Sequence, residues 1–351
     1  MPSRLQRALP VLLPAVAFAL LALLGKLIPP IRGVLDLSLP FFGLIGLGFM
    51  CGRLMQIPEE GLRWMNFFIV YVSLPALFFN LVSTTPFEAL SNGRFILGTT
   101  LSTYIAFTLA LCVGMIATRG DLRSATIQGV AGAYSNVGYM GPGLTLAALG
   151  AQSAAPTALI FAFDSMLFFT LTPFFMALSG ADEEDWKTTV LTIIKRVSTH
   201  PFNVATAVGA LAAYWRFEPA APVAKMLGVL QGAAAPSALF VMGVTIALRK
   251  TSRLAPETPF LLIIKLVLHP LIVWTVLSML GDFGREWTFT ALLMSGLPQA
   301  LNVFVLANQY QTYVERASSI VLAGTLASVV TLTTLLYLIT TDRIPYRLPI
   351  Y

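Results

Sequence analysis

The segment from Ala125 to Leu149 contains no charged residue and is long enough, at about 1.5 Å per residue, to cross a bilayer. A helix in hydrocarbon has to satisfy its own backbone groups. Yet Gly138, Gly141, Pro142 and Gly143 fall inside this one; proline removes a donor and each glycine weakens the turn. Broken backbone at membrane depth survives only where it faces protein or a watery cavity. The segment therefore predicts two half-helices meeting around a site.

The remaining sequence sets the surroundings of that break. Of 351 residues, 57% are hydrophobic and 11% charged, with a mean hydropathy of +0.80, whereas soluble domains are about a quarter charged. Repeated long apolar runs indicate an all-α polytopic membrane protein and not a barrel. The net charge of +6 sits mostly on short loops, where it bears on orientation and not on a nucleic-acid partner. Cys51 and Cys112 lie inside apolar runs, and there are two histidines. No disulfide framework, metal site or cofactor is expected.

Residues 1–33 are expected to form an extra N-terminal transmembrane segment, with its apolar part over 8–28 ended by Pro29-Pro30. A signal peptide is the alternative, but the run is long for one and no clear A-x-A site follows. Ten further spans are expected in two sets of five. The first repeat, 34–178, holds Leu37–Leu54, Leu62–Ser83, Phe95–Ala117, Ala125–Leu149 and Ala155–Leu178. A cytoplasmic linker, 179–200, carries Asp182-Glu183-Glu184-Asp185 as a solvated run. The second repeat, 201–341, holds Pro201–Trp215, Ala224–Leu248, Pro259–Leu280, Thr288–Ala307 and Ala317–Thr340, before a tail over 342–351. Gly43, Gly46, Gly48 and Gly52 read as close helix packing.

The halves match. Leu74-Pro75-Ala76-Leu77-Phe78 in the second span of one answers Ala235-Pro236-Ser237-Ala238-Leu239-Phe240 in the other. Gly138-Tyr139-Met140-Gly141-Pro142 in the fourth span answers Gly296-Leu297-Pro298-Gln299-Ala300-Leu301-Asn302. Five spans per repeat force opposite orientations, and interrupted spans at matching positions point to a transporter substrate site. With the N-terminus on side one, thirteen Lys and Arg residues fall on that side and eight on the other. The N-terminus is then cytoplasmic and the C-terminus outside.

Chemistry is expected at the two interruptions. If they cross, the half-helix N-termini present free N–H groups and positive dipole ends, a seat for a carboxylate. Asn136, Tyr139, Gln299 and Asn302 add amide and phenol groups at the same depth. The candidate substrate-binding set is Asn136, Gly138, Tyr139, Gly141, Pro142, Pro298, Gln299 and Asn302. The plainer alternative makes these residues packing kinks, since glycine and proline are commoner in membrane helices than in soluble ones.

Three ionisable residues inside spans are coupling candidates. Asp164 is a proton carrier or cation ligand in one reading. In the other it is a neutral structural acid bonded to Ser165 or another hydroxyl. Lys265 and His269 lie one turn apart and share a face. They are expected to snorkel and to bond a backbone carbonyl respectively, with Pro270 kinking the helix; an anion contact or a proton relay is the alternative. His200 before Pro201 reads as interfacial.

The run Ser135-Asn136-Val137-Gly138-Tyr139-Met140-Gly141-Pro142-Gly143, followed by Leu149-Gly150, resembles the fourth-helix signature of the auxin efflux carrier family. Leu297 to Ala307 is similar to that family's ninth-helix pattern, and Leu74–Phe78 and Lys265 with His269-Pro270 also fit. The resemblance covers about Leu35 to Thr340 and is specific in combination. It implies a 5+5 inverted-repeat fold, with a two-helix panel scaffold and a core in which two broken helices cross. It also implies transport of organic anions: auxins in plants, malate or malonate in bacteria. Asn136, Gly141, Pro142, Pro298 and Asn302 map to the crossover. The short linker resembles the bacterial branch; the extra N-terminal span and the lack of a second proline beside Pro298 depart from the pattern.

The expected function is secondary active transport of a small organic anion by alternating access, with the anion a malonate- or malate-like dicarboxylate or an auxin-like carboxylate. H⁺ and Na⁺ are the candidate coupling ions. The expected setting is the inner (plasma) membrane, with the lipid bilayer and a second copy in a homodimer as partners. A Na⁺-coupled solute symporter or a polytopic membrane enzyme is the rival. The enzyme would place His, Asp or Arg clusters at the membrane face, and no loop carries one. A receptor would need an appended soluble domain, which is not expected here.

Overall fold

The computed structural model describes residues 29–55, 59–180, 191, 194–195, 198–249 and 253–349. The expected N-terminal span over 8–28 and the acidic group Asp182–Asp185 lie outside these residues. What is described is helical, and its one extended pairing is an isolated bridge.

The first helix, α1 (Pro29–Met55), starts on the proline pair, whose fixed φ suits a first turn. Next come α2 (Glu59–Phe68), a π-helical turn (Ile69–Ser73) and α3 (Leu74–Ser83). The short α4 (Phe87–Leu90) leads into α5 (Gly93–Ala117). The same sequence of helix, wide turn and helix recurs in α11 (Thr258–Ile263), Ile264–Leu268 and α12 (His269–Leu280). In both cases a proline, Pro75 or Pro270, occupies the second position after the wide turn. A proline has no N–H to offer the carbonyl one turn earlier, and the wider turn accommodates that loss.

Among the described residues, seven stretches are long and apolar enough to cross a membrane: Gly33–Met55, Glu60–Ser83, Phe87–Ala117, Ala151–Leu178, Ala221–Leu248, Thr258–Leu280 and Val314–Thr340. The protein is a multi-pass membrane protein. Three expected spans differ from these. Ala125–Leu149 is divided into α6 (Leu122–Ala133) and α7 (Gly141–Leu149). Thr288–Ala307 is divided into α13 (Arg285–Gly296) and α14 (Asn302–Gln309). Pro201–Trp215 appears as the 14-residue α9 (Pro201–Tyr214), only about 21 Å long at 1.5 Å per residue.

The remaining long helices are α8 (Ala154–Leu178), α10 (Ala221–Leu248) and α15 (Val314–Thr340). Helices α1 and α10 pack along each other, with α3 against α9 and α10, to make one panel. The second body gathers α5, α6, α8 and α12, with α13 against α7, α8 and α15.

Close backbone approach holds the panel together. A Cβ at Gly48 would stand 2.0 Å from the Phe240 carbonyl oxygen, and one at Gly243 would stand 2.0 Å from that of Ile45. Lipid offers no hydrophobic drive between helices, so such contact supplies the attraction. Asn80 Nδ2 donates to Gln231 Oε1 at 2.9 Å, a polar tie between α3 and α10. Of the glycines expected to pack closely, Gly48 and Gly52 do so, while Gly43 has nothing within 4 Å.

Candidate functional site

The two helix breaks are adjacent in space. Helix α6 ends at Ala133, and Tyr134 turns extended (φ −72°, ψ 104°). Helix α13 ends at Gly296, and Leu297 turns extended (φ −62°, ψ 152°), as the residue before a proline must to avoid its Cδ. Two extended segments are thereby freed to pair. Asn136 N donates to Pro298 O at 2.8 Å and Ala300 N donates to Tyr134 O at 3.0 Å, which makes Ser135 and Gln299 an antiparallel bridge. Each break satisfies part of the other's backbone.

Beyond the bridge, each chain re-enters a helix. The Asn136 carbonyl accepts from Met140 N (3.2 Å) and Gly141 N (3.3 Å), and α7 starts with Pro142 in its first turn. Helix α14 starts at Asn302. Among the described residues, the N–H groups of Gly138, Tyr139, Leu301 and Asn302 have no acceptor. All four residues line one cavity of about 410 Å³. Its wall is completed by Tyr71 from the π-helical turn, Phe161 and Phe169 from α8, and His200 and Phe202 at the start of α9. The cavity thus lies between the panel and the second body. Among the described residues, no lysine or arginine lines it.

The candidate set divides in two. Asn136, Gly138, Tyr139 and Asn302 line the cavity; Gly141, Pro142, Pro298 and Gln299 do not. Asn302 Nδ2 donates to Tyr134 OH at 3.2 Å, and that ring stacks on Phe168 at 4.3 Å. Asn136 Nδ2 reaches Met242 Sδ of α10 at 3.2 Å. Gly141 allows close approach, since a Cβ there would stand 2.7 Å from Met294 Sδ. The Gln299 side chain is fully buried without a hydrogen-bond partner among the described residues. It lies against α15, where a Cβ on Gly324 would stand 1.6 Å from its Oε1.

Asp164, Lys265 and His269 form a separate buried group behind the breaks, and none of them lines the cavity. Thr103 Oγ1 of α5 lies 3.1 Å from Asp164 Oδ1 and 3.2 Å from His269 Nε2, so one hydroxyl joins acid and imidazole. Lys265 does not snorkel: it is 0% exposed, and its ammonium donates to the Ser295 carbonyl at the end of α13. Ser135 Oγ reaches the same carbonyl at 3.4 Å. His269 bonds the Thr103 hydroxyl, and not a backbone carbonyl, and its Nδ1 has no partner among the described residues. The hydrocarbon side of the helix is closed to Lys265 because its face turns into the second body.

Thr103, Tyr134 and Met242 were missed in the sequence reading. A threonine in an apolar span, a tyrosine at a helix end and a core methionine carry no spacing signal of their own. His200, expected at an interface, sits half-buried at the cavity wall, and burial pushes its imidazole below the usual histidine value.

Comparison with known proteins bears on the whole chain. The family described as membrane transport protein matches residues 34–204 and 186–336. A protein of Rhizobium meliloti named "Putative malonate transporter" is 46% identical over 312 residues, covering 89% of this chain and 98% of its own length. An "Uncharacterized transporter" of Methanothermobacter thermautotrophicus is 25% identical over 296 residues, covering 82% of this chain and 93% of its own length. The chain belongs to the membrane transport protein family, the auxin efflux carrier family whose signatures its two broken segments carry.

Proposed function

We propose that the protein carries a small organic anion across the inner membrane by alternating access, with malonate or a close dicarboxylate as substrate and an auxin-like carboxylate as the alternative. One carboxylate sits on the N–H groups of Gly138, Tyr139, Leu301 and Asn302. The observation that carries this reading is that these four free donors, two from the turn before α7 and two from the start of α14, share one cavity. Unpaired N–H groups and the positive ends of helix dipoles favour an anion there without any lysine or arginine. The 46% identity to a relative whose name includes malonate supports the choice of substrate.

In this reading residues 34–178 and 201–341 are inverted five-helix repeats whose broken fourth spans cross. The second body moves against the panel, which pairs with a second copy. The N-terminus and the linker are cytoplasmic, and the C-terminus is outside. Asp164, joined to His269 through Thr103, takes the coupling proton, with Na⁺ as the other candidate ion.

The test is counterflow. Protein in liposomes preloaded with malonate is expected to accumulate labelled malonate unchanged, and Asn136→Ala to abolish this while still inserting. Absence of exchange for malonate, malate and indole-3-acetate alike, or recovery of a chemically altered product, would refute the carrier reading.

A further inference from the structure

We propose that His200 holds the second carboxylate of the substrate and thereby makes the cavity a dicarboxylate site; this rests on the anion site proposed above. The free N–H groups of the two breaks account for one carboxylate, which is all that a monocarboxylate brings. A second carboxylate buried unpaired in the same space is heavily unfavourable. Among the described residues, His200 is the one cavity-lining side chain of histidine, lysine or arginine type. Its ring is held by Phe169 at 5.2 Å and by Phe202 at 4.7 Å, the latter at 71°. Its Nδ1 is walled off without a partner among the described residues, which leaves Nε2 as the nitrogen open to a ligand.

Aromatic rings fill the space between the two ends of the site. Gly138 packs on Phe161, whose Cε2 would lie 3.1 Å from an added Cβ. The Phe161 ring is 5.3 Å from Phe202, and Phe202 is 4.7 Å from His200. Two aromatic rings therefore separate the N–H groups from the imidazole. A three-carbon dicarboxylate with a hydrogen bond of about 2.8 Å at each end spans roughly 10 Å, and the N–H groups and the imidazole line the same cavity of about 410 Å³. His200 enters from the panel side, at the start of α9, which packs on α3. A dicarboxylate therefore bridges the two bodies, whereas a monocarboxylate seated on the N–H groups reaches only one of them.

The experiment measures uptake of trace labelled malonate into liposomes and the propionate concentration that halves it. In His200→Phe, which keeps the ring packing and removes the donor, the KM for malonate is expected to rise about tenfold, with propionate inhibition moved by less than about twofold. His200→Gln, which keeps an N–H donor, is expected to fall between this variant and the wild type. A malonate KM in His200→Phe that stays near wild type, or equal weakening of both acids, overturns the proposal. If His200→Phe does not fold, His200→Ala is read by the same two comparisons. A wild-type protein that takes up no malonate defeats the anion site itself, whereas normal uptake with an indifferent His200 variant defeats only the role of His200.

Discussion

Replacing Asn302 by aspartate keeps the shape of the side chain and changes its charge. Asn302 opens α14, lines the cavity and stands 3.2 Å from Tyr134 OH. A carboxylate in the first turn of a helix is favoured by about 0.3–1 kcal/mol through the dipole, so the folded protein is expected to melt no lower than wild type. A substrate carboxylate on the neighbouring N–H groups would lie roughly 4 Å from the new one, and two like charges at that separation repel by about 4 kcal/mol at an effective dielectric of about 20. That is on the order of a thousandfold in affinity. Asn302→Ala is the control: it loses one hydrogen bond, about 1 kcal/mol net, and less than about tenfold in uptake. The assay pairs malonate uptake in liposomes with thermal unfolding of the purified variants. If Asn302→Asp transports as well as Asn302→Ala at equal stability, no anion is seated at the start of α14.

Three further outcomes are expected. Gly243→Ala drives a methyl against the Ile45 carbonyl at 2.0 Å and is expected to cost about 1–3 kcal/mol; Gly228→Ala on the same helix, with nothing within 4 Å, is not expected to lower the melting temperature. Equal melting of the two would mean that α1 and α10 do not touch there. Gly324→Ala is expected to destabilise through Gln299, and Gln299→Ala on that background to recover part of the loss. Simple additivity of the two changes would place the amide elsewhere. Asp164→Asn is expected to flatten the pH dependence of uptake, and an unaltered profile would assign Asp164 a structural role.

The interruptions were legible because glycine and proline act on the backbone they occupy, and helix in hydrocarbon tolerates them in few places. The pairing between them was not. Matching motifs set Gly138–Pro142 against Gly296–Asn302, but the hydrogen bonds join Tyr134–Asn136 to Pro298–Ala300. Pro142 belongs to the first turn of a half-helix, whereas Pro298 belongs to an extended break. The two prolines look equivalent in sequence and do different work, because an extended pairing is made by main-chain groups that side chains do not report. Lys265 failed for a related reason. The snorkelling argument assumes a lipid-facing helix, and which face looks inward depends on partners such as Ser295, thirty residues away. His200 could be read to an interface from its place before Pro201, but its cavity is made by residues from five separate stretches of chain.

The bridge at Ser135 and Gln299 also has a bearing on biosynthesis. The Tyr134 carbonyl and the Asn136 N–H find their partners on Pro298 and Ala300, and the nearby contact from Ser135 to Ser295 spans 160 residues of sequence. At about 5–20 residues per second, those partners leave the ribosome on the order of ten seconds later. For that interval the nascent first half sits in or beside the insertion machinery with bare peptide groups at membrane depth. Water, lipid headgroups or a helper protein has to shelter them until the second half arrives, so assembly of this membrane protein is a race between the ribosome's pace and the patience of an unfinished helix.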